Sequence, residues 1–125
     1  MIIGIGTDIV EVANIARRIE NPPFLRLFSD RERAYAEAQP ARRAEIYAAR
    51  WAAKEAFAKA LGAGLRAEWP LDEIEIVHDA SGRAMIEIGP ALRPYLPAPS
   101  RIHCSISHTA AFACAFVIIE GLQTG

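Results

Sequence analysis

Hydrophobic positions along this chain change their period several times, and each change marks an element. Residues 2–9 open with Ile2-Ile3-Gly4-Ile5-Gly6 and read as a buried strand in which two glycines allow close backbone approach. Over residues 11–20 the apolar positions Val12, Ile15, Ala16 and Ile19 recur at helical spacing, and Asn21-Pro22-Pro23 stops that helix. Ser29-Asp30-Arg31-Glu32 has the spacing of a capping box and predicts a second short helix, ended by Pro40. Residues 41–62 are dominated by alanine, arginine and glutamate without a breaker, which predicts the longest helix, closed by Gly62 and Gly64. Two alternating segments, 74–78 and 83–88, flank Asp79-Ala80-Ser81-Gly82 and predict a hairpin. Pro90 opens a helical stretch to Leu96, which Pro97-Ala98-Pro99 ends.

Residues 101–107 and 112–120 read as two further strands. The second is apolar in both phases, so both of its faces need cover. A chain with so few helices cannot supply that cover alone, which argues for self-association. These elements imply an α+β class, with a mostly antiparallel β-sheet packed against a long central helix, in one domain spanning 1–125.

Composition narrows the picture by exclusion. A formal net charge of −1 is no footprint of a bulk nucleic-acid binder, although Arg17, Arg18, Arg26, Arg31 and Arg33 gather positive charge in the first third. Cys104 and Cys114 lie in apolar strand-like stretches and read as small hydrophobes in a reducing compartment. The longest apolar run, 110–119, is about half of the ~20 residues a membrane helix needs. The first residues lack the basic start of a secretory signal, so a cytoplasmic address is expected.

Three places carry candidate chemistry. On the long helix, Ile46, Ala53, Phe57 and Ala60 share one side, while Glu55 projects opposite, flanked by Trp51 and Lys59. The neighbours Ala48, Ala58 and Gly62 are small and leave room for something to approach. Glu55 and Lys59 are either a solvated i,i+4 ion pair or part of a site. Asp8 is either a ligand at a strand rim or the N-cap of the next helix. His103, Ser105 and Ser107 share the outward phase of their strand, with Ile102, Cys104 and Ile106 inward, and such a row is often the wet face of a sheet. A dinucleotide loop is excluded because Ile9 stands where the third glycine is needed. A serine hydrolase built on Asp8, His108 and Ser105 has no Gly-x-Ser-x-Gly elbow to support it.

Taken together, the pieces resemble the holo-acyl-carrier-protein synthases, the short class of 4′-phosphopantetheinyl transferases. Gly6-Thr7-Asp8 is similar to that family's G-x-D motif. Trp51-Ala52-Ala53-Lys54-Glu55-Ala56-Phe57-Ala58-Lys59 fits its W/F-x-x-K-E-A-x-x-K motif at every fixed position, and Ser105-Ile106-Ser107-His108 resembles its terminal S-x-S-H. The order, the spacing and the total length agree as well.

The resemblance implies a Mg²⁺-dependent transfer of 4′-phosphopantetheine from coenzyme A to a serine of apo-acyl carrier protein. Asp8 and Glu55 would hold the metal, a chemistry suited to hard carboxylate oxygens completed by substrate phosphates. Asp8, Glu55 and Lys59 become the candidate catalytic residues, with Glu55 as base for the carrier hydroxyl. Lys59, Arg50, Gly62 and His108 become candidates for the coenzyme A side. The resemblance further implies a homotrimer with sites at subunit interfaces, and carrier binding by Arg17, Arg18 and Arg26; Asn14 stands where relatives often carry a basic residue. Larger transferases of the superfamily resemble two such folds in tandem, and this chain has about half their size. The alternative from another class is a non-catalytic module that binds carrier proteins or nucleotides. It predicts loss of a carboxylate or the lysine, yet Asp8, Glu55 and Lys59 are all present.

Overall fold

The computed structural model describes residues 1–62, 64, 66 and 68–123. Strand β1 (Ile2–Glu11) leads directly into helix α1 (Val12–Arg18), then come the single-turn α2 (Pro22–Leu25), α3 (Asp30–Glu37) and the long α4 (Arg43–Ala60). The hairpin β2 (Ile74–His78) and β3 (Ala84–Ile88) follows, and β4 (Ser100–His108) and β5 (Phe112–Gly121) end the chain. Every strand pair is antiparallel. Three strands form one sheet in the order β1-β5-β4, and β2-β3 form a separate two-stranded sheet. The expected antiparallel sheet on a long central helix is therefore present, divided into two sheets.

Close approach explains the two glycines of β1. Gly4, Gly6 and Asp8 lie on the same face of the strand, toward α4. A Cβ on Gly6 would collide with the Ala56 carbonyl oxygen, and one on Gly4 with that of Ala60. Hydrogen atoms in place of side chains let the helix lie directly on the sheet. On its other flanks α4 meets aromatic residues: Phe24, Phe28, Tyr47 and Trp51 pack edge to face, with centroids 4.9–5.4 Å apart for Phe24–Phe28, Phe24–Trp51 and Phe28–Tyr47.

Several expectations need correction. Helix α4 does not present an open side of small residues, because Ala48 and Ala58 are fully buried and Trp51 nearly so. The space those alanines leave is taken by the protein itself. Of the side centred on Glu55, only Glu55 itself, the more exposed Lys59 and Gly62 just past the helix reach solvent. Pro22 and Pro23 do not simply end a helix; they open α2, since a proline at the first helical position loses no hydrogen bond. The stretch after Pro90 shrinks to a 3-10 turn, Arg93–Tyr95, because Pro94 disfavours a helical residue before it. Gly62 and Gly64 do cap α4, with φ of 85° and 69°.

Strand β4 alternates as read from the sequence: His103, Ser105 and Ser107 point outward and Ile102, Cys104 and Ile106 inward. Strand β5 is covered by α4 on one face only. On the other, Phe112 and Phe116 stand beside Ile5 and Ile9 of β1, all about half exposed or more, with Ile9 at 67%. Among the described residues no helix is long and apolar enough to cross a membrane.

Candidate functional site

Asp8 is not a helix cap. Strand β1 continues three residues beyond it, and the N-cap position of α1 belongs to Glu11, whose side chain caps nothing. Its place on the inner phase of β1, opposite Ala115 of β5, instead aims Asp8 at the end of α4. There Lys59 Nζ donates to Asp8 Oδ1 at 3.1 Å and to the Thr7 carbonyl at 3.0 Å. Asp8 Oδ2 is buried and has no partner. An orphaned carboxylate oxygen is costly unless something positive or donating reaches it.

Glu55, one turn before Lys59, lies in the seam between β1 and the Trp51 side of α4. Burial pushes its carboxyl above the ordinary range, and the neighbouring Asp8 charge adds to this. Lys59 and Arg18 pull the other way without cancelling the rise. Two carboxylates that repel each other, one with an oxygen left over, are hard oxygen donors that could hold a cation. No third His, Cys, Asp or Glu joins them among the described residues. Remaining positions in such a shell would fall to ligand oxygens and water.

Arg50 and His108 do not join this group. They line a separate cavity of about 320 Å³ between α3, the start of α4, the hairpin and β4. Arg50 is 3% exposed, its Nε has no hydrogen-bond partner, and no acid lies within ion-pair distance of it among the described residues. Desolvation accordingly lowers its pKa. Its guanidinium sits 4.5 Å over the Tyr35 ring, and Nη2 lies 3.5 Å from His78 Nδ1. Arg42 and Arg83 complete a cationic rim, beside His108, whose Nδ1 lies 3.2 Å from Glu45. A buried guanidinium without a counter-ion, in a cavity rimmed by cations, is built to receive an anion.

The two zones lie on different sides of α4, the cavity along its first half and the carboxylate group along its second. Glu55 follows Arg50 by five residues, about 7.5 Å of helix, and is rotated about 140° from it. Ser105 points to the outer sheet face, so Asp8, His108 and Ser105 do not assemble into a triad. Gly62 lies just past α4 with open space around its Cα.

Arg17, Arg18 and Arg26 are exposed on or beside α1 and α2. Arg17 contacts Asn14, while Arg18 stacks 4.1 Å over Phe24 and 4.8 Å over Trp51. Sequence reasoning missed the cavity residues Tyr35, Arg42, His78 and Arg83, which come from four different segments and share no spacing. It also left Lys54 without a role. This lysine is wholly buried and donates to Glu32 Oε1 at 2.8 Å, Leu71 O at 2.8 Å and Ile74 O at 2.5 Å.

Comparison with known proteins places the class first. Residues 4–117 match the model of the 4′-phosphopantetheinyl transferase superfamily, and the chain belongs to that superfamily. Within it, the relatives are holo-[acyl-carrier-protein] synthases. The one from Anoxybacillus flavithermus is 41% identical over 130 residues, covering 99% of this chain and 100% of the relative. The Bacillus anthracis synthase, solved in complex with CoA (3′,5′-ADP), superposes with a TM-score of 0.83 at 34% identity, covering 98% of this chain and 99% of that one. The Neisseria meningitidis synthase gives 0.84 at 35% identity, covering 96% and 99%.

Proposed function

We propose that this chain, as a holo-[acyl-carrier-protein] synthase, transfers the 4′-phosphopantetheine group of coenzyme A to a serine of apo-acyl carrier protein. The products are holo-carrier protein and adenosine 3′,5′-bisphosphate. The observation that carries the reading is the orphaned Asp8 Oδ2 beside Glu55 and Lys59, on a frame matched along its length by synthases solved with coenzyme A.

The residues divide the chemistry as follows. Asp8 and Glu55 would hold Mg²⁺, and its charge would both relieve their repulsion and offset negative charge on the pyrophosphate. Lys59, already aimed at this spot, neutralises a phosphate oxygen as a point charge. The carrier serine oxygen bonds to the phosphorus of the phosphopantetheine group while the bridging bond to 3′,5′-ADP breaks. Glu55, directly or through a water, takes the serine proton. Arg50 and His108, with Arg42 and Arg83, bind the remaining phosphate of coenzyme A. Gly62, uncluttered at the end of α4, leaves the cofactor room to pass. Arg17, Arg18 and Arg26 meet the acidic carrier and chiefly set encounter rate and salt dependence.

One chain is an incomplete site. Glu55 and the cavity residue Arg50 leave α4 about 140° apart and so face different directions, and the outer sheet face is left apolar. We infer a homotrimer in which that face is buried and the carboxylates of one copy meet the basic cavity of the next. The free thiols Cys104 and Cys114 suit a reducing cytoplasmic setting.

Mass spectrometry of an apo-carrier incubated with the chain, coenzyme A and Mg²⁺ tests this. The carrier gains the phosphopantetheine mass, and excess chelator prevents the gain. An unchanged carrier mass would instead support a non-catalytic binding module.

A further inference from the structure

The basic cavity holds a titratable group that the transfer chemistry does not use. His78, the last residue of β2, stacks on Tyr35 of α3 with centroids 5.2 Å apart and planes at 26°. Its Nδ1 faces Arg50 Nη2 of α4 at 3.5 Å. A nitrogen turned toward a guanidinium serves it best as a neutral acceptor. Burial pushes the imidazole below the ordinary histidine value, and the Arg50 charge adds to that shift.

The other groups around the cavity do not reverse this. Asp79, the next residue, is anionic and pulls the opposite way, but less strongly. Its carboxylate is committed to the hairpin turn, accepting from Ser81 N at 2.9 Å and Arg83 N at 3.0 Å and pairing with Arg83 Nε at 3.3 Å. From β4, His108 is occupied by Glu45 and lies 3.5 Å from Arg42, and the Cys104 thiol is pushed up to about 11 by burial and stays neutral. His78 is thus held neutral inside a ring of fixed cations.

A phosphomonoester entering this ring brings roughly −1.5 to −2 charge. That charge reverses the balance, since it attracts the imidazolium which Arg50 alone repels. We propose that His78 couples phosphate affinity in this cavity to protonation, being neutral in the free chain and an imidazolium donor once the phosphate is bound. The proposal rests on the reading of the cavity as the phosphate end of coenzyme A. Sign follows from linkage: between the lower free and the higher bound pKa of His78, binding takes up a proton. Affinity therefore weakens as pH rises through that interval.

The test is calorimetric titration of the chain with 3′,5′-ADP at pH 7, in two buffers of different ionisation enthalpy. Phosphate groups also titrate near this pH, so the decisive quantity is the difference between the wild type and His78→Gln. His78 is on the exposed end of β2, and its replacement leaves the core untouched. The wild type is expected to take up about half a proton more than His78→Gln, and its Kd to weaken roughly 3–10-fold more between pH 6 and 8. His108→Gln should keep the excess uptake. Equal proton counts for the wild type and His78→Gln overturn the proposal, as does loss of the excess in His108→Gln instead. Arg50→Met separates the two levels of the argument: wild-type affinity in that variant overturns the reading of the cavity itself, whereas weakened binding with equal proton counts overturns only the role of His78.

Discussion

Lys54 sits beside Glu55 in the sequence yet faces the interior, and replacing it with methionine isolates what it contributes. The ammonium is fully buried, as is Glu32, and it satisfies three acceptors: Glu32 Oε1, Leu71 O and Ile74 O. Glu32 also accepts from Ser29 N at 2.9 Å and Ile76 N at 3.2 Å. The pair therefore ties α3, α4 and the start of β2 together at one point. Methionine fills much the same volume but leaves a carboxylate with two neutral donors, strips the ammonium from the Ile74 carbonyl, and leaves the Leu71 carbonyl with Ile74 N alone. Removing one partner of a buried pair costs about 3–5 kcal/mol, and an orphaned carbonyl about 1–3 kcal/mol in isolation. These losses overlap, so we expect a total near the upper end, about 5 kcal/mol, against a usual domain stability of about 5–15 kcal/mol.

Urea unfolding at pH 7 is the assay. With a slope of about 2 kcal/mol per molar, the midpoint of Lys54→Met should fall by about 2.5 M. The double variant Lys54→Met/Glu32→Gln removes the stranded charge while keeping an oxygen for Ser29 N or Ile76 N. It should recover about half the loss. A Lys54→Met midpoint within 0.5 M of wild type (about 1 kcal/mol) would refute the claim that this lysine is structural. So would a double variant less stable than the single one.

Other substitutions probe the site and its frame. Gly6→Ala forces a Cβ into the Ala56 carbonyl, so β1 must lift from α4; stability should fall by about 1–3 kcal/mol in thermal melts, with turnover falling too because Asp8 moves. Glu55 has a raised folded pKa, so the folded chain binds more protons than the unfolded one between about 4.5 and that raised value, and stability is lost as pH climbs through this window. Glu55→Gln should thus melt slightly higher than wild type at pH 7 without metal, while carrier modification drops about 10²–10⁴-fold; an unchanged rate removes Glu55 from the mechanism. Phe116→Glu places a charge on the bare sheet face and should yield a folded monomer in sedimentation, with activity lost; an active monomer refutes the shared site.

How much of this was legible in the chain follows from the range of the interactions. The capping box at Ser29, the alternation of β4 and the glycine caps of α4 depend on neighbours a few residues apart, and each stands where the pattern placed it. Gly4 and Gly6 read as points of close backbone approach, and α4 does lie directly on them. Proline chemistry misled twice, since Pro22 starts a turn as readily as it ends a helix and Pro94 truncates the segment after Pro90.

Tertiary structure alone decided the rest. Lys54 and Lys59 have the same chemistry and lie five residues apart, but only packing sent one to Glu32 in the core and the other to Asp8 at the rim. The anion cavity draws Tyr35, Arg50, His78 and His108 from α3, α4, β2 and β4. No spacing along a chain encodes such a convergence, because it depends on how helices and sheets pack once their local form is set. Periodicity specifies which face a residue occupies; only the packed fold specifies what that face meets.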